Sequence, residues 1–350
     1  MIYDITIIGA GASGLMAASK LQKTDPKLTI CIIDTNSKIG EKIKVSGGGR
    51  CNITNKYMSS DYFLGDSVFI QNTLDKFTQK DLLSFLNQNG VYPKIDEKIV
   101  KGTYFCNSSS DIINMFKKLT SKCHFKLDTK VIDVDYINDM FLVNTTKNDI
   151  KTKKLIVASG GLSYQTIGAS DIGYKIASKF GHDIVKTSPA LVGFTVQKDQ
   201  FWFKELSGLS LNVSITVENK KIEGMMLFTH KGCSGPAILT TSLYWRKGQI
   251  SIDFAPKKDS YLPKRFKQTI KNKNIDIHNY IISPAGNFGY TKAEVTKGGI
   301  DTNSIDNSFQ SKYQKGLYFV GELLNVTGEL GGYNFQWAFS SSDNLNITNN

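Results

Sequence analysis

The sequence predicts an α/β fold, a doubly wound parallel sheet with a β-rich domain inserted late in the chain. Three stretches predict it. Residues 1–34 read as strand, glycine turn, helix and second strand; residues 154–161 read as a buried strand ending in small residues; residues 190–300 change to short strands joined by turns. Apolar strands alternating with helices build parallel sheets covered on both faces, because each crossover lays a helix on the sheet.

The opening stretch carries the first chemistry. Residues 4–8 form a mostly apolar strand, Gly9-Ala-Gly11-Ala12-Ser13-Gly14 follows without a gap, and residues 15–21 have the composition of a helix. A second strand over 28–33 ends on Asp34, twenty residues after Gly14. In such a unit Gly9 permits the tight turn, Gly11 lets backbone approach a pyrophosphate, and Gly14 lets helix and strand pack closely. The helix N-terminus offers free N–H groups and a positive dipole end to phosphates. An acid at Asp34 can accept from a ribose hydroxyl. The stretch reads as a socket for a dinucleotide, FAD or NAD.

Composition sets the class. At 350 residues the chain can hold two domains. No run approaches the ~18–20 apolar residues of a membrane span. The first apolar segment is the first strand of the fold, so it is not expected to be a signal peptide. Five cysteines form no C-x-x-C pair, so no metal site is expected and the setting expected is a reducing cytoplasm. With 43 Lys and Arg against 31 Asp and Glu the formal charge is +12, which suits an anionic partner or a generally lysine-rich surface.

Residues 40–55 are the most unusual stretch. Gly47, Gly48 and Gly49 remove every side chain from a short arc, as needed where backbone lies against a flat ring or a phosphate. Lys42 and Arg50 add positive charge for the phosphates, and Asn52, Thr54 and Asn55 add amide and hydroxyl groups. With the opening glycine motif, Ser46-Gly-Gly-Gly-Arg-Cys-Asn-Ile-Thr-Asn55 resembles the BaiN/RdsA family of FAD-dependent NAD(P)/FAD oxidoreductases. That group includes flavoproteins described as bile-acid-type enone reductases, aminoacetone oxidases and ribosomal RNA dihydrouridine synthases.

The resemblance recurs along the chain. Ser159-Gly160-Gly161 and the block to Tyr174 resemble the family's glycine-rich second block, with Ser159 and Gln165 as departures. Thr229-His230 through Pro236 resembles its F-T-H-x-G-x-S-G-P motif, and Gly332-Tyr333-Asn334 with Gln336-Trp337-Ala338 its G-G-Y-N-x-Q-W-A motif. The family carries Phe-Pro where this chain has Phe105-Cys106. The resemblance implies a three-layer, two-dinucleotide-binding-domain flavoprotein fold. An FAD-binding domain would span 1–190 and 311–350, with a β-rich substrate domain over 191–310 whose helical segment near 257–283 is shortened. It also implies that backbone at Val131 meets the adenine and that Gly321-Glu322 accepts from the ribityl chain. The Gly332-Tyr333-Asn334 helix start would face the flavin's N1–O2 side.

Between the motifs, residues 75–89 read as one helix stopped by Gly90, 100–105 as a strand, 111–119 as a helix, and 131–135 with 140–143 as a hairpin. Residues 257–273 hold seven basic residues and one acid: Lys257, Lys258, Lys264, Arg265, Lys267, Lys271 and Lys273 against Asp259. With Tyr261 and Phe266 interleaved, this run reads either as a patch for ribosomal RNA phosphates with rings for stacking, or as a solvated helix or loop.

The expected activity is hydride transfer from the flavin N5 to an electron-poor C=C, with NAD(P)H as a transient donor because only one dinucleotide fingerprint is present. Cys51 and His230 are the candidate proton donors; a structural thiol and a turn-pinning imidazole are the alternatives. Uridine in 23S ribosomal RNA, a small bile-acid-like enone and an amine such as aminoacetone compete as substrates. A non-catalytic flavin-bearing RNA-binding protein is the reading from another class.

Overall fold

The computed structural model describes residues 1–96, 100–258, 261–271 and 273–347. The chain divides into two compact units, the first built on residues 1–96, 102–188 and 296 onward, the second on 189–295.

The main sheet of the first unit runs in the order His124–Lys126, Ile30–Ile33, Ile2–Ile8, Ile150–Val157, Met140–Thr145, Val131–Ile137, with Leu317–Phe319 also on Ile150–Val157. Its centre is parallel: Ile2–Ile8 pairs with Ile30–Ile33 on one side and Ile150–Val157 on the other. Ile150–Val157 shares its far edge between two strands. Thr152 faces Phe141 in an antiparallel pairing, and Leu155 faces Leu317 in a parallel one. Ile5, Ile7, Ile30, Ile32, Leu155 and Val157 are all buried, the continuous apolar run of strands covered on both faces. Helices Ala12–Thr24 and Tyr333–Asp343 pack against each other. Trp337 of the second helix is buried, its ring edge-on to Phe309 and its Nε1 donating to the Gly321 carbonyl at 3.0 Å.

Two expectations are corrected. The helix expected over 75–89 is two helices, Ser67–Lys76 and Gln79–Gln88. Thr78 starts the second with a reciprocal cap: its hydroxyl accepts from Asp81 N–H while the Asp81 carboxylate accepts from Thr78 N–H. The second correction concerns the boundary. Residues 296–310, expected in the inserted domain, belong to the first unit. Thr296 N–H donates to Glu322 Oε1 at 2.8 Å, Asp301 N–H to the Asp183 carbonyl at 3.0 Å, and Asn325 N–H to the Ile300 carbonyl at 2.8 Å, which tie the returning strand Val295–Ile300 into this unit.

The second unit is a seven-stranded antiparallel sheet in the order Tyr280–Ile282, Ile250–Asp253, Ser210–Val217, Lys220–Thr229, Gly232–Ser234, Phe194–Thr195, Gly286–Asn287. Helix Pro236–Tyr244 packs on it. Its core is aromatic: Phe203, Phe228, Phe254 and Phe266 are fully buried and in mutual ring contact, with Trp202 and Tyr280 at the margin. The helical segment near 257–283 contains Lys264–Ile270. Among the described residues no helix is long and apolar enough to cross a membrane.

One buried polar group makes the first unit acid-sensitive. His182 is 3% exposed, with Nδ1 2.7 Å from Ser304 Oγ and Nε2 2.7 Å from Ser311 Oγ. Ser304 spends its proton on the Asp301 carbonyl, so it accepts from Nδ1–H. Ser311 accepts from the N–H groups of Tyr313 and Gln314, so its own proton goes to Nε2. The ring is therefore held neutral, and burial lowers its pKa below the ordinary 6.5. A depressed value means the unfolded state takes up the proton first, so stability present above the unfolded pKa is lost as pH falls toward the folded one. The melting temperature of the parent is expected to fall between pH 7.5 and 5. His182→Gln should be less stable at pH 7.5, by about 1–3 kcal/mol, and should show a shallower fall. Equal slopes for the two would remove His182 from this role.

Candidate functional site

The site begins where Ile2–Ile8 meets the helix. A Cβ at Gly14 would overlap the Gly9 carbonyl oxygen, and one at Gly9 would overlap the Ala158 carbonyl. Backbone thus touches backbone at the ends of the central strands. Gly11 is different: a Cβ there would meet nothing within 4 Å. It is the N-cap residue of Ala12–Thr24, with no side-chain cap and no acid in the first turn. The N–H groups of this turn, Ala12 and Ser13 among them, are available to an anion, an interaction worth about 0.3–1 kcal/mol for a full charge near the dipole end.

Asp34 is half-buried beside this turn. Its Oδ2 accepts from Ala10 N–H at 2.7 Å, and its Oδ1 accepts from the backbone and side-chain amides of Asn36 at 2.8 and 3.0 Å. Its first task is to fix the turn, and its remaining lone pairs are what a ribose hydroxyl could use. Asp34 N–H donates to the Lys126 carbonyl and Thr129 N–H to the Asp34 carbonyl, which bring the segment leading to Val131 alongside. Asn36 Nδ2 also donates to the Ile167 carbonyl at 3.0 Å, drawing the 165–168 turn to the same end.

Glycines 47–49 form a turn with positive φ at each, and Gly48 and Gly49 again face open space. The same is true of Gly160. The following strand, Asn52–Asn55, is clamped to the Gly332 turn. Thr54 Oγ1 donates to Gln336 Oε1 at 2.6 Å, Asn55 Nδ2 donates to the Gly331 carbonyl at 3.0 Å, and a Cβ at Gly332 would lie 2.5 Å from the Thr54 carbonyl. Two motifs 280 residues apart are one structure. Thr54 and Asn55 hold the backbone there, whereas Asn52 is half-buried at the start of the strand. Tyr333 is buried with its ring stacked on Tyr62 and its hydroxyl donating to the Tyr57 carbonyl. Asn334 bonds both the N–H and the carbonyl of Gly328. These two side chains shape the turn, which leaves its backbone as the part available to a cofactor.

The charged candidates pair off. Lys42 Nζ lies 2.7 Å from Glu322 Oε2 and 5.9 Å from the centre of the Tyr164 ring. Glu322 Oε1 accepts from Thr296 N–H, and Thr296 Oγ1 accepts from the N–H groups of Leu162 and Ser163 at 2.7 and 3.2 Å. Arg50 pairs with Asp96 at 2.9 Å and lies over the Phe105 ring at 4.5 Å. Positive charge that sequence alone assigns to phosphates is thus already partnered, and Lys42 works at Glu322. Ser159, which precedes Gly160 and Gly161, has a buried hydroxyl with no hydrogen-bond partner among the described residues. A Cβ at Gly161 would fall 2.5 Å from Thr296 Oγ1, and one at Gly321 would overlap the Ser13 hydroxyl, so these two glycines serve packing.

The proton-donor candidates fare differently. Cys51 is fully buried, and burial first, then Cys106, pushes its thiol well above the usual range. With no exposure the thiol has no open path to a substrate, and the geometry favours the structural alternative for Cys51 over the proton donor. His230 lies in the second unit, exposed at the turn between Lys220–Thr229 and Gly232–Ser234. Of the basic run, Lys257, Lys258, Lys264, Arg265, Lys267 and Lys271 are exposed and Lys273 is half-buried, whereas Phe266 is fully buried and offers no stacking face. Asp259 lies outside the described residues. The residues that sequence reasoning missed are Asn36, Asp96, Thr296 and Gln336. Each acts on a partner distant in the chain; Asn36 also bonds Asp34 locally, and its amide two residues after Asp34 is a recognisable turn signal.

Residues 3–345 match the family described as HI0933-like protein Rossmann domain. The chain belongs to this family. It is 35% identical to the ribosomal RNA dihydrouridine synthase of Escherichia coli (strain K12), over 97% of this chain and 96% of that protein. It is 24% identical to the 3-dehydro-bile acid delta(4,6)-reductase of Clostridium scindens, over 96% of both. The HI0933-like chain also shares its fold with E. coli quinol fumarate reductase (TM-score 0.55, 14% identity, 98% of this chain and 69% of that one). As a member of the family it is an FAD-dependent oxidoreductase.

The residues present fit FAD. Four bare-backbone positions (Gly11, Gly48, Gly49 and Gly160) face open space, the helix N-terminus is uncapped, and Ser159 offers an orphaned buried hydroxyl. These features separate two glycines by function. Gly11→Val should leave the FAD-free protein within about 1 kcal/mol of the parent and weaken FAD binding at least about tenfold. Gly14→Val should fail to fold. Flavin titration and thermal melts of the two variants check this; a Gly11→Val protein that binds FAD like the parent would contradict it.

Proposed function

We propose that this HI0933-like chain binds FAD along the bare-backbone arc of its first unit and reduces the C5–C6 double bond of a uridine in 23S ribosomal RNA, giving dihydrouridine. The observation that carries the reading is the 35% identity to a ribosomal RNA dihydrouridine synthase across nearly the whole of both chains. The overall balance is uridine plus NAD(P)H plus a proton giving dihydrouridine and NAD(P)⁺. NAD(P)H is the donor this reading takes, because the chain has a single dinucleotide fingerprint, so a nicotinamide would bind only in passing.

FAD, when bound, supplies the two-electron carrier between donor and C=C. The chain's own residues bind and orient it. The N–H groups at Ala12 and Ser13 receive the pyrophosphate, and Asp34 receives a ribose hydroxyl, with Val131 backbone at the adenine. Glu322, held by Thr296 N–H, would take the ribityl hydroxyls, while Lys42 pairs with Glu322 and adds positive charge at that end. The arc of Gly48 and Gly49 and the backbone of the Gly332 turn would hold the ring. His230 remains the side-chain candidate for delivering a proton at the substrate carbon, with water as the alternative.

A second reading follows from the 24% identity to a bile-acid reductase. It keeps the same chemistry, reduction of an electron-poor C=C, and changes the substrate to a small enone.

Deleting the gene and measuring dihydrouridine in digested large-subunit ribosomal RNA by mass spectrometry tests the first reading. Loss of the nucleoside, restored by the parent gene and equally by a Cys51→Ala version, is the expected outcome. An unchanged level in RNA that contains dihydrouridine would overturn it, and loss of restoration with a stably folded Cys51→Ala protein would reinstate that thiol.

A further inference from the structure

Within the second unit, an open depression of about 490 Å³ is lined by Phe201, Trp202 and Tyr280 together with Asp199, Glu205, Lys273 and Asn274. The function proposed above leaves it unused. Three observations bear on what it holds.

The first is aromatic exposure. Phe201 is 60% exposed, and Trp202 behind it is fixed by an Nε1–H bond to Tyr280 Oη at 3.1 Å. Tyr261, in the same stretch as the basic run, is 80% exposed. Aromatic side chains left this open are free faces for a flat partner.

The second is charge. Lys264, Lys267 and Lys271 are spaced three and four apart along Lys264–Ile270 and its C-cap, so they share one helix face, and all three are exposed. Phe266 anchors the opposite face in the aromatic core.

The third is continuity. Arg265 donates to the carbonyls of Glu205 and Ser207, and Lys273 Nζ lies 3.8 Å from Glu205 Oε1. Glu205 lines the depression, so the basic helix is tied to its wall. The helix that carries the cationic stripe is thus anchored to the lining of an aromatic hollow that also holds two carboxylates, Asp199 and Glu205.

We propose that this depression is a docking groove for single-stranded RNA, which seats a base bearing an exocyclic amino group. Lys264, Lys267 and Lys271 take the phosphates, Phe201 and Tyr261 stack on bases, and Asp199 and Glu205 accept from the amino group. The carboxylates decide the base. Cytosine and adenine present N–H donors to them, whereas uracil presents carbonyl oxygens on either side of its one N–H. Double-stranded RNA cannot offer a base face to a ring, so the ligand is single-stranded. The inference rests on the RNA reading for its biological sense, and its test is a binding measurement that needs no turnover.

The probes are fluorescein-labelled 12-nucleotide oligo(C), oligo(A) and oligo(U), titrated by anisotropy with the full-length flavin-loaded protein. The parent is expected to bind oligo(C) and oligo(A) more tightly than oligo(U). Phe201→Ala should weaken binding of all three by at least about fivefold. Asp199→Asn should erase the preference over oligo(U) without weakening oligo(U) itself. Lys267→Gln with Lys271→Gln should weaken all probes and lower the salt slope by about 1.4. Binding by Phe201→Ala within twofold of the parent overturns the proposal, as does tighter binding of oligo(U). All these positions are exposed or at the rim, and an unchanged melting temperature verifies each fold. If groove binding is found and ribosomal RNA keeps its dihydrouridine on gene deletion, only the substrate reading falls. If dihydrouridine is lost on deletion and the groove variants bind like the parent, only the groove falls.

Discussion

The close backbone approach at Gly9, Gly14 and Ala158 is the constraint on which the first unit depends. No side chain fits at Gly9 or Gly14, on either side of the start of helix Ala12–Thr24, because a Cβ on either would overlap a carbonyl oxygen. That contact holds the helix N-terminus directly above the ends of Ile2–Ile8 and Ile150–Val157. The parallel pairing of Ile30–Ile33 then brings Asp34 to the same level, and the Ala10 N–H bond locks it there. The 126–129 segment and the 165–168 turn both hang on Asp34 or Asn36.

Electrostatics in this unit follow from that geometry. The carboxylates and cations near the arc are used on each other: Lys42 with Glu322, Arg50 with Asp96. Half-exposed pairs like these add little to stability and much to orientation, since each side chain gives up its freedom to point elsewhere. What remains for a dianionic cofactor is backbone N–H, which carries no desolvation penalty comparable to a buried charge. The formal charge of +12 is spent elsewhere, in part on the exposed lysines of residues 257–271.

Local patterns made much of this legible. The strand–glycine–helix–strand opening, the triple glycine and the G-G-Y-N helix start each encode their geometry within a few residues, and the structure forms all three as turns into regular elements. Contacts between distant segments were not legible. Thr54 read as a polar residue with ligand potential and Gln336 only as one letter of a motif, yet they bond each other across 282 positions. The division at residue 296 was hidden because Val295–Ile300 looks like any strand of the β-rich region until Glu322 binds Thr296. Phe266 read as a free ring because a seven-residue amphipathic helix does not announce which face is down. Thr78 and Asp81 did carry a helix-start signal, outweighed by the apolar spacing on either side of it.

The central claim is that bare backbone, rather than a set of charged side chains, is what receives FAD. Measuring the flavin-to-protein ratio of the purified chain by absorbance, before and after incubation with FAD and desalting, tests it most directly. The account predicts one FAD per chain, retained at high salt because the ligands are fixed amides more than mobile charges. A protein that stays colourless after incubation, or that loses its flavin as salt rises through the physiological range, would contradict it.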